Sequence, residues 1–211
     1  MNRMKKGLCL FLAICMLLTA IPMGALATPR ASDGGFSDLS PDSWAYSYIM
    51  DLGRRGIING FPDGTYRPQA SVTRAQFARL VVALLETPTE TEAIFDDVPE
   101  NSWSNPYITA AVRRGILFPS EYGRILGANE AITREEAAVW MVRALGIGLI
   151  DGSALDFVDR DAITFQDEIA TAVEIGLIVG LPDNRFGPEG STTRAQAANR
   201  SARPLVFGSG T

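Results

Sequence analysis

The sequence contains no histidine. That removes the side chain that most often moves protons near neutral pH and most often ligates metals. Its only cysteines, Cys9 and Cys15, and its only lysines, Lys5 and Lys6, all fall within the first fifteen residues. Beyond that stretch no disulfide framework and no thiolate metal site can form. Long apolar runs are also scarce. The one nearly unbroken run, Leu8 to Leu18, follows the cations Arg3, Lys5 and Lys6 and precedes the small-x-small triplet Ala25-Leu26-Ala27. It is too short for a membrane span and has the pattern of a secretory signal peptide over residues 1–27. A lipoprotein reading would use Cys15, but Ile14 before it is bulkier than such a site needs.

Removal of residues 1–27 takes three of the 19 cations and none of the 24 acids, leaving sixteen arginines and a net charge of −8. An acidic exported chain of this kind argues against a nucleic-acid partner held by bulk charge. No membrane insertion is expected after cleavage, and no cofactor is implied by the residue types that remain.

What is present is a repeat. Thr73-Arg74-Ala75-Gln76 returns as Thr133-Arg134-Glu135-Glu136 and as Thr193-Arg194-Ala195-Gln196, 60 residues apart each time. Upstream stand Phe36-Ser37-Asp38, Phe95-Asp96-Asp97 and Phe157-Val158-Asp159. Between these markers lie Arg54-Arg55-Gly56-Ile57-Ile58, Arg113-Arg114-Gly115-Ile116-Leu117 and Glu174-Ile175-Gly176-Leu177-Ile178. Three ordered signals repeated three times define the organisation. The boundaries are read as 28–87, 88–147 and 148–211, with linkers at Thr87 to Glu92 and Ile147 to Leu155.

Each copy reads as helix, loop, helix. Trp44, Tyr48, Ile49 and Leu52 fall at helical spacing, as do Trp103, Tyr107, Ile108 and Val112, with Asp42-Ser43 and Asn101-Ser102 as candidate caps. Gly56, Gly115 and Gly176 suit a left-handed C-terminal cap. The loop Gly60-Phe61-Pro62-Asp63-Gly64-Thr65-Tyr66-Arg67-Pro68 is dense in turn residues and is matched by Gly180 to Pro188. Copy two carries Phe118-Pro119-Ser120-Glu121-Tyr122-Gly123 there, so its loop is expected to differ in shape. Thr73, Thr133 and Thr193, each with Gln or Glu three residues on, are capping boxes that open the second helix. Phe77, Val81, Leu84 and Leu85 then form an apolar face, matched by Ala137, Met141, Ala144 and Leu145. In copy three Pro204 cuts this helix short. One unit cannot bury both of its amphipathic helices alone, whereas three units packed together can.

The arginine at the first position of each second helix breaks a local rule. A cation there faces the positive end of the helix dipole, at a cost of about 0.3–1 kcal/mol when exposed. Unpaired N–H groups at a helix start form an anion site, and a guanidinium adds a planar two-pronged donor for carboxylate or phosphate. Arg74, Arg134 and Arg194 are therefore candidate anion-binding residues. The alternative is that each pairs with a nearby acid such as Asp38, Asp97 or Asp159, and the residues alone leave both open. Helical spacing places Trp44 and Trp103 in the core rather than on a sugar-stacking platform, although both stay candidates for ligand contact. Asp63-Gly64 lacks the spaced acids of a calcium loop. Neither Asp96-Asp97 nor Glu135-Glu136 offers two carboxyls facing one glycosidic bond. An enzyme is thus not expected.

The order Phe-x-Asp, Trp, Gly-Ile-Ile-x-Gly, Pro-Asp-Gly-x-Tyr-x-Pro and Val-Thr-Arg-Ala-Gln-Phe-Ala resembles the S-layer homology (SLH) domain, from about Phe36 to about Arg203. The resemblance implies an all-α fold of three helix-loop-helix repeats in a pseudo-threefold bundle, with the second helices at its centre. It implies a cell-wall or S-layer location and non-covalent anchoring through grooves between repeats. The expected partner is secondary cell-wall polysaccharide, often bearing a pyruvate ketal. The candidate ligand-binding set is Arg74, Arg134, Arg194, Asp38, Asp97, Trp44 and Trp103. Gln76 and Gln196 depart from the acid common after the arginine-alanine pair, and the grooves beside copy three are expected to be the weakest. The competing expectation is a remnant or adaptor of a larger surface protein or wall hydrolase, without activity of its own.

Overall fold

The computed structural model describes residues 35–202, and side chains as far as Asn199. The leader reading of residues 1–27 and the break at Pro204 lie outside the described residues. Among those described, the helices are α1 (Tyr46–Arg54), α2 (Arg74–Leu84), α3 (Asn105–Arg113), the four-residue α4 (Pro119–Tyr122), α5 (Arg134–Leu145), α6 (Gln166–Glu174) and α7 (Arg194–Ala202). Two 3₁₀ turns, Gly152–Ala154 and Arg160–Ala162, complete the set. The described chain is all-α, as expected.

Local chemistry sets the helix ends. Thr73 Oγ1 accepts from the Gln76 N–H at 3.3 Å while Gln76 Oε1 accepts from the Thr73 N–H at 3.2 Å, closing a capping box at the start of α2. Thr133 with Glu136 and Thr193 with Gln196 repeat the exchange at α5 and α7. At the other end of α1, Gly56 takes φ +70°, and the Ile57 N–H returns to the Leu52 carbonyl at 3.0 Å. That is the left-handed cap a glycine permits. The candidate caps of the first helices are corrected. Ser43 and Ser102 cap turns that precede α1 and α3, accepting from the N–H groups of Ala45 and Asn105. The helices start later, at Tyr46 and Asn105.

The repeats are joined by a closed backbone ring. The Val72 N–H donates to the Thr192 carbonyl, the Thr192 N–H to the Ile132 carbonyl, and the Ile132 N–H to the Val72 carbonyl, each at 3.0 Å. Three isolated antiparallel bridges flank these bonds: Ser71 with Thr193, Thr73 with Ala131 and Thr133 with Ser191. Packing follows the same cycle. First helix α3 lies on α2, α6 lies on α5, and α1 lies on α7, while α2 also touches α5 and α7. Each copy's first helix therefore covers the second helix of the copy before it, and copy one covers copy three. This is the pseudo-threefold bundle, centred on the second helices.

Ile49, Leu52, Phe77, Val81, Ile108, Trp140 and Ile169 are fully buried in one continuous core. The counterparts of Phe77 are Ala137 and Ala197, both also buried. One large and two small side chains at equivalent positions keep the interior close-packed without three rings competing for the same space. The divergent loop of copy two folds as α4, so the expected difference in shape is present.

Candidate functional site

The N–H groups that open the second helices are not free. On α2 the Arg74 N–H donates to the Glu130 carbonyl and the Ala75 N–H to the Ala128 carbonyl, both at 3.0 Å. The Gln76 N–H is taken by its own cap. On α5 the corresponding acceptors are Gly190 and Pro188, and on α7 they are Ala70 and Pro68. The expectation of open amides waiting for an anion is corrected. Carbonyls from the next copy's loop supply the negative ends that the helix starts require.

The three arginines follow the same cycle but end in two different environments. Arg194 donates from Nε to the Tyr66 carbonyl at 2.8 Å and from Nη2 to the Asn59 carbonyl at 3.1 Å. Its guanidinium lies 4.4 Å from the Tyr66 ring centre and 5.1 Å from that of Phe61. Arg134 makes the matching contacts in the next junction, to the carbonyls of Phe186 and Val179 and over the Phe186 ring. Burial lowers the pKa of both. Carbonyls orient these cations without neutralising them, and a guanidinium has five N–H donors, so unspent donors remain. Arg74 differs. Its Nε meets Glu136 Oε1 at 2.8 Å and its Nη1 meets Glu130 Oε2 at 2.9 Å. Burial pulls its pKa down, but the bonds to Glu136 and Glu130 outweigh this and raise it overall.

The Phe-x-Asp aspartates do not pair with these arginines. Asp38 accepts the N–H groups of Tyr66 and Arg67, both at 2.7 Å. Asp97 holds Leu126 and Ala128, and Asp159 holds Phe186 and Gly187. Each carboxylate thus clamps its own copy's loop. Of the acids that do meet Arg74, Glu130 was legible only as a departure, standing where the other copies have Ala70 and Gly190, whereas Glu136 keeps the acid that Gln76 and Gln196 replace.

The core reading of the tryptophans is overturned. Trp44 is 54% exposed and Trp103 is 55% exposed, because both lie in turns ahead of their helices. The inward stripe begins instead with Ala45 and Ile49 in copy one and with Ile108 in copy two.

One cleft, with a volume of about 230 Å³, brings several of these residues together. Its wall is the copy-one loop from Ile57 to Tyr66, its floor includes Gln76, Arg79 and Leu80 of α2, and Arg194 and Trp103 come from copies three and two. The structure therefore unites Arg194 with Trp103, while Arg74 and Arg134 lie at the other two junctions. Copy three, expected to offer the weakest grooves, contributes the central cation of this one. Sequence reasoning missed Arg79, whose counterparts are Val139 and Asn199. It is half-buried in the same cleft, and its charge, like that of Arg67, weighs against the Arg194 cation. Chemically, the cleft offers two guanidiniums, which are planar donors to anions, beside exposed aromatic surface.

The S-layer homology domain family model matches residues 35–78, 94–138 and 156–198, more than half of the chain. An amylopullulanase of Thermoanaerobacterium thermosulfurigenes is 34% identical over 178 residues, covering 79% of this chain and 9% of that protein. An S-layer protein of Bacillus thuringiensis subsp. finitimus is 28% identical over 192 residues, 88% of this chain and 23% of its own length. A cellulosome-anchoring protein of Acetivibrio thermocellus is 31% identical over 132 residues, 59% of this chain and 29% of its own. The chain thus spans less than a third of the length of each of these relatives. Three tandem family matches on a ring of three capped helices lead to one assignment: the chain belongs to the S-layer homology domain family, whose members hold proteins at the cell surface on the cell wall.

Proposed function

We propose that this chain is a non-catalytic wall anchor that binds secondary cell-wall polysaccharide through an anionic substituent, a pyruvate ketal being the group that fits best. The observation that carries this is the cleft in which Arg194 and Arg79 stand beside the exposed indole of Trp103. A ketal carboxylate suits the planar guanidinium fork, and a sugar ring suits the aromatic face. Arg134 is a second candidate contact, in a junction bordered by exposed Val179 and Leu181 instead of Asn59 and Phe61. The net acidic exported chain would be repelled by an acidic polymer, so local complementarity must supply the binding.

In this reading the role is one of attachment, without a reaction. Nucleic acid is not a partner in this reading, and insertion into the membrane is not part of it. Among the described residues no helix is long and apolar enough to cross a membrane. Whatever is tethered is carried by further protein or by association.

Cosedimentation with purified wall sacculi tests the proposal. The exported chain should pellet with intact sacculi and stay in solution once the accessory polysaccharide is stripped. Retention on bare peptidoglycan, or unaltered binding by R194A and R79A, defeats it.

A further inference from the structure

We propose that the junction at Arg74 is shut by the chain's own acids and accepts no ligand, so that the polymer is gripped asymmetrically. This rests on the reading of the Arg194 cleft given above. Arg74 is 13% exposed and Glu136 16% exposed, and their side chains meet at 2.8 Å. Glu130 takes a second edge of the guanidinium at 2.9 Å. Two carboxylates against one guanidinium leave the junction net negative, whereas Arg194 is held by neutral carbonyls. An incoming carboxylate would have to displace one that is already attached to the same molecule and therefore present at high effective concentration.

Shape reinforces charge. The Tyr122 hydroxyl donates to Glu136 Oε1 at 3.0 Å, and its ring lies 5.7 Å from the Arg74 guanidinium. The same ring sits edge-on to fully buried Trp140, with centres 6.5 Å apart. Where this junction has Glu130, Glu136 and Trp140, the open cleft has Ala70, Gln76 and Leu80. Tyr122 belongs to α4, the short helix that replaces the Asp-Gly turn. Relative to the open cleft, Glu130 and Glu136 add negative charge at this junction, and Tyr122 and Trp140 fill space beside it. Glu136 thus fills the room beside the Arg74 guanidinium that a ligand carboxylate would need, and Arg74 acts as a structural clamp.

Calorimetric titration of the chain lacking residues 1–27 with isolated pyruvylated wall polysaccharide tests this. R74A is expected to bind within about twofold of the parent and with the same number of sites, but to melt at a lower temperature. R194A should lose at least tenfold. E130A/E136Q/Y122A should gain one site per chain, and if that variant does not fold, the R74A titration decides alone. A tenfold loss in folded R74A, or no added site in folded E130A/E136Q/Y122A, overturns the proposal while leaving the anchoring reading intact. A parent chain that binds no polysaccharide removes both.

Discussion

Arg194 Nε reaches the Tyr66 carbonyl at 2.8 Å across 128 residues of sequence, and Tyr66 Oη donates back to the Arg194 carbonyl at 3.2 Å. This reciprocal pair fastens copy three to copy one and so completes the ring. It also builds the cleft, since the residues that close the bundle are those that line it. Burial pushes the Tyr66 phenol up to about 12, so it remains a neutral donor at any physiological pH.

Replacing Arg194 separates charge from packing. R194A should weaken polysaccharide binding by at least tenfold, since hydrogen bonds to charged groups contribute about 1.5–3 kcal/mol. R194K keeps the charge but loses the planar fork and should fall between R194A and the parent. Equal binding by all three, measured by calorimetry, would exclude Arg194 from the site. If the grip is local, raising the salt concentration should weaken the parent less than it weakens a binder held by bulk charge.

The aspartate clamps predict a stability effect without a direct ligand effect in copy two. D97A strands the N–H groups of Leu126 and Ala128, which now donate to Asp97 at 2.9 Å. The cost should be about 1–3 kcal/mol. Thermal denaturation should then show a midpoint several degrees below the parent. An unchanged midpoint would mean that water replaces the carboxylate without loss.

Gly60 sits where no side chain fits. A Cβ built there would lie 2.4 Å from the Phe36 ring and 2.8 Å from the Thr65 carbonyl. G60A must therefore displace the loop that walls the cleft, at a cost of about 1–3 kcal/mol for overpacking. Both the melting temperature and polysaccharide affinity should fall. Retention of full affinity would show that the loop position does not set the cleft.

Acid should loosen the same loop. The Thr65 hydroxyl, the Arg67 guanidinium and the Thr65 N–H all bond to Asp63, holding its carboxyl at about 2, below the ordinary 3.8. The unfolded chain binds this proton more readily than the folded one. The contribution is thus complete above pH 3.8 and disappears as pH falls toward 2. The melting-temperature gap between parent and D63N should shrink over that window. A gap that is constant with pH would assign the effect to something other than the Asp63 charge.

Much of this was legible in the residues. The threonine boxes at Thr73, Thr133 and Thr193, the capping glycine at Gly56 and the altered loop at Pro119 all act within a few residues of themselves. The role of Asp38 was harder to read. Its marker was plain, but its partners at Tyr66 and Arg67 lie 28 and 29 residues away. Trp44 misled because periodicity reports what a helix would bury and cannot say where that helix begins.

The sequence by itself determined three helix-loop-helix copies and the threonine caps of their second helices, because short-range hydrogen bonding and side-chain periodicity are local properties. Only the tertiary structure decided that the helix starts are already satisfied by a neighbour's loop, that Trp44 and Trp103 face solvent, and that Arg194 is held by carbonyls while Arg74 meets two carboxylates. Those outcomes depend on which copy abuts which. Ring closure sets that by bringing carbonyls, acids and rings from distant parts of the chain to three nearly identical guanidiniums, and the differences among those neighbours give each one its role.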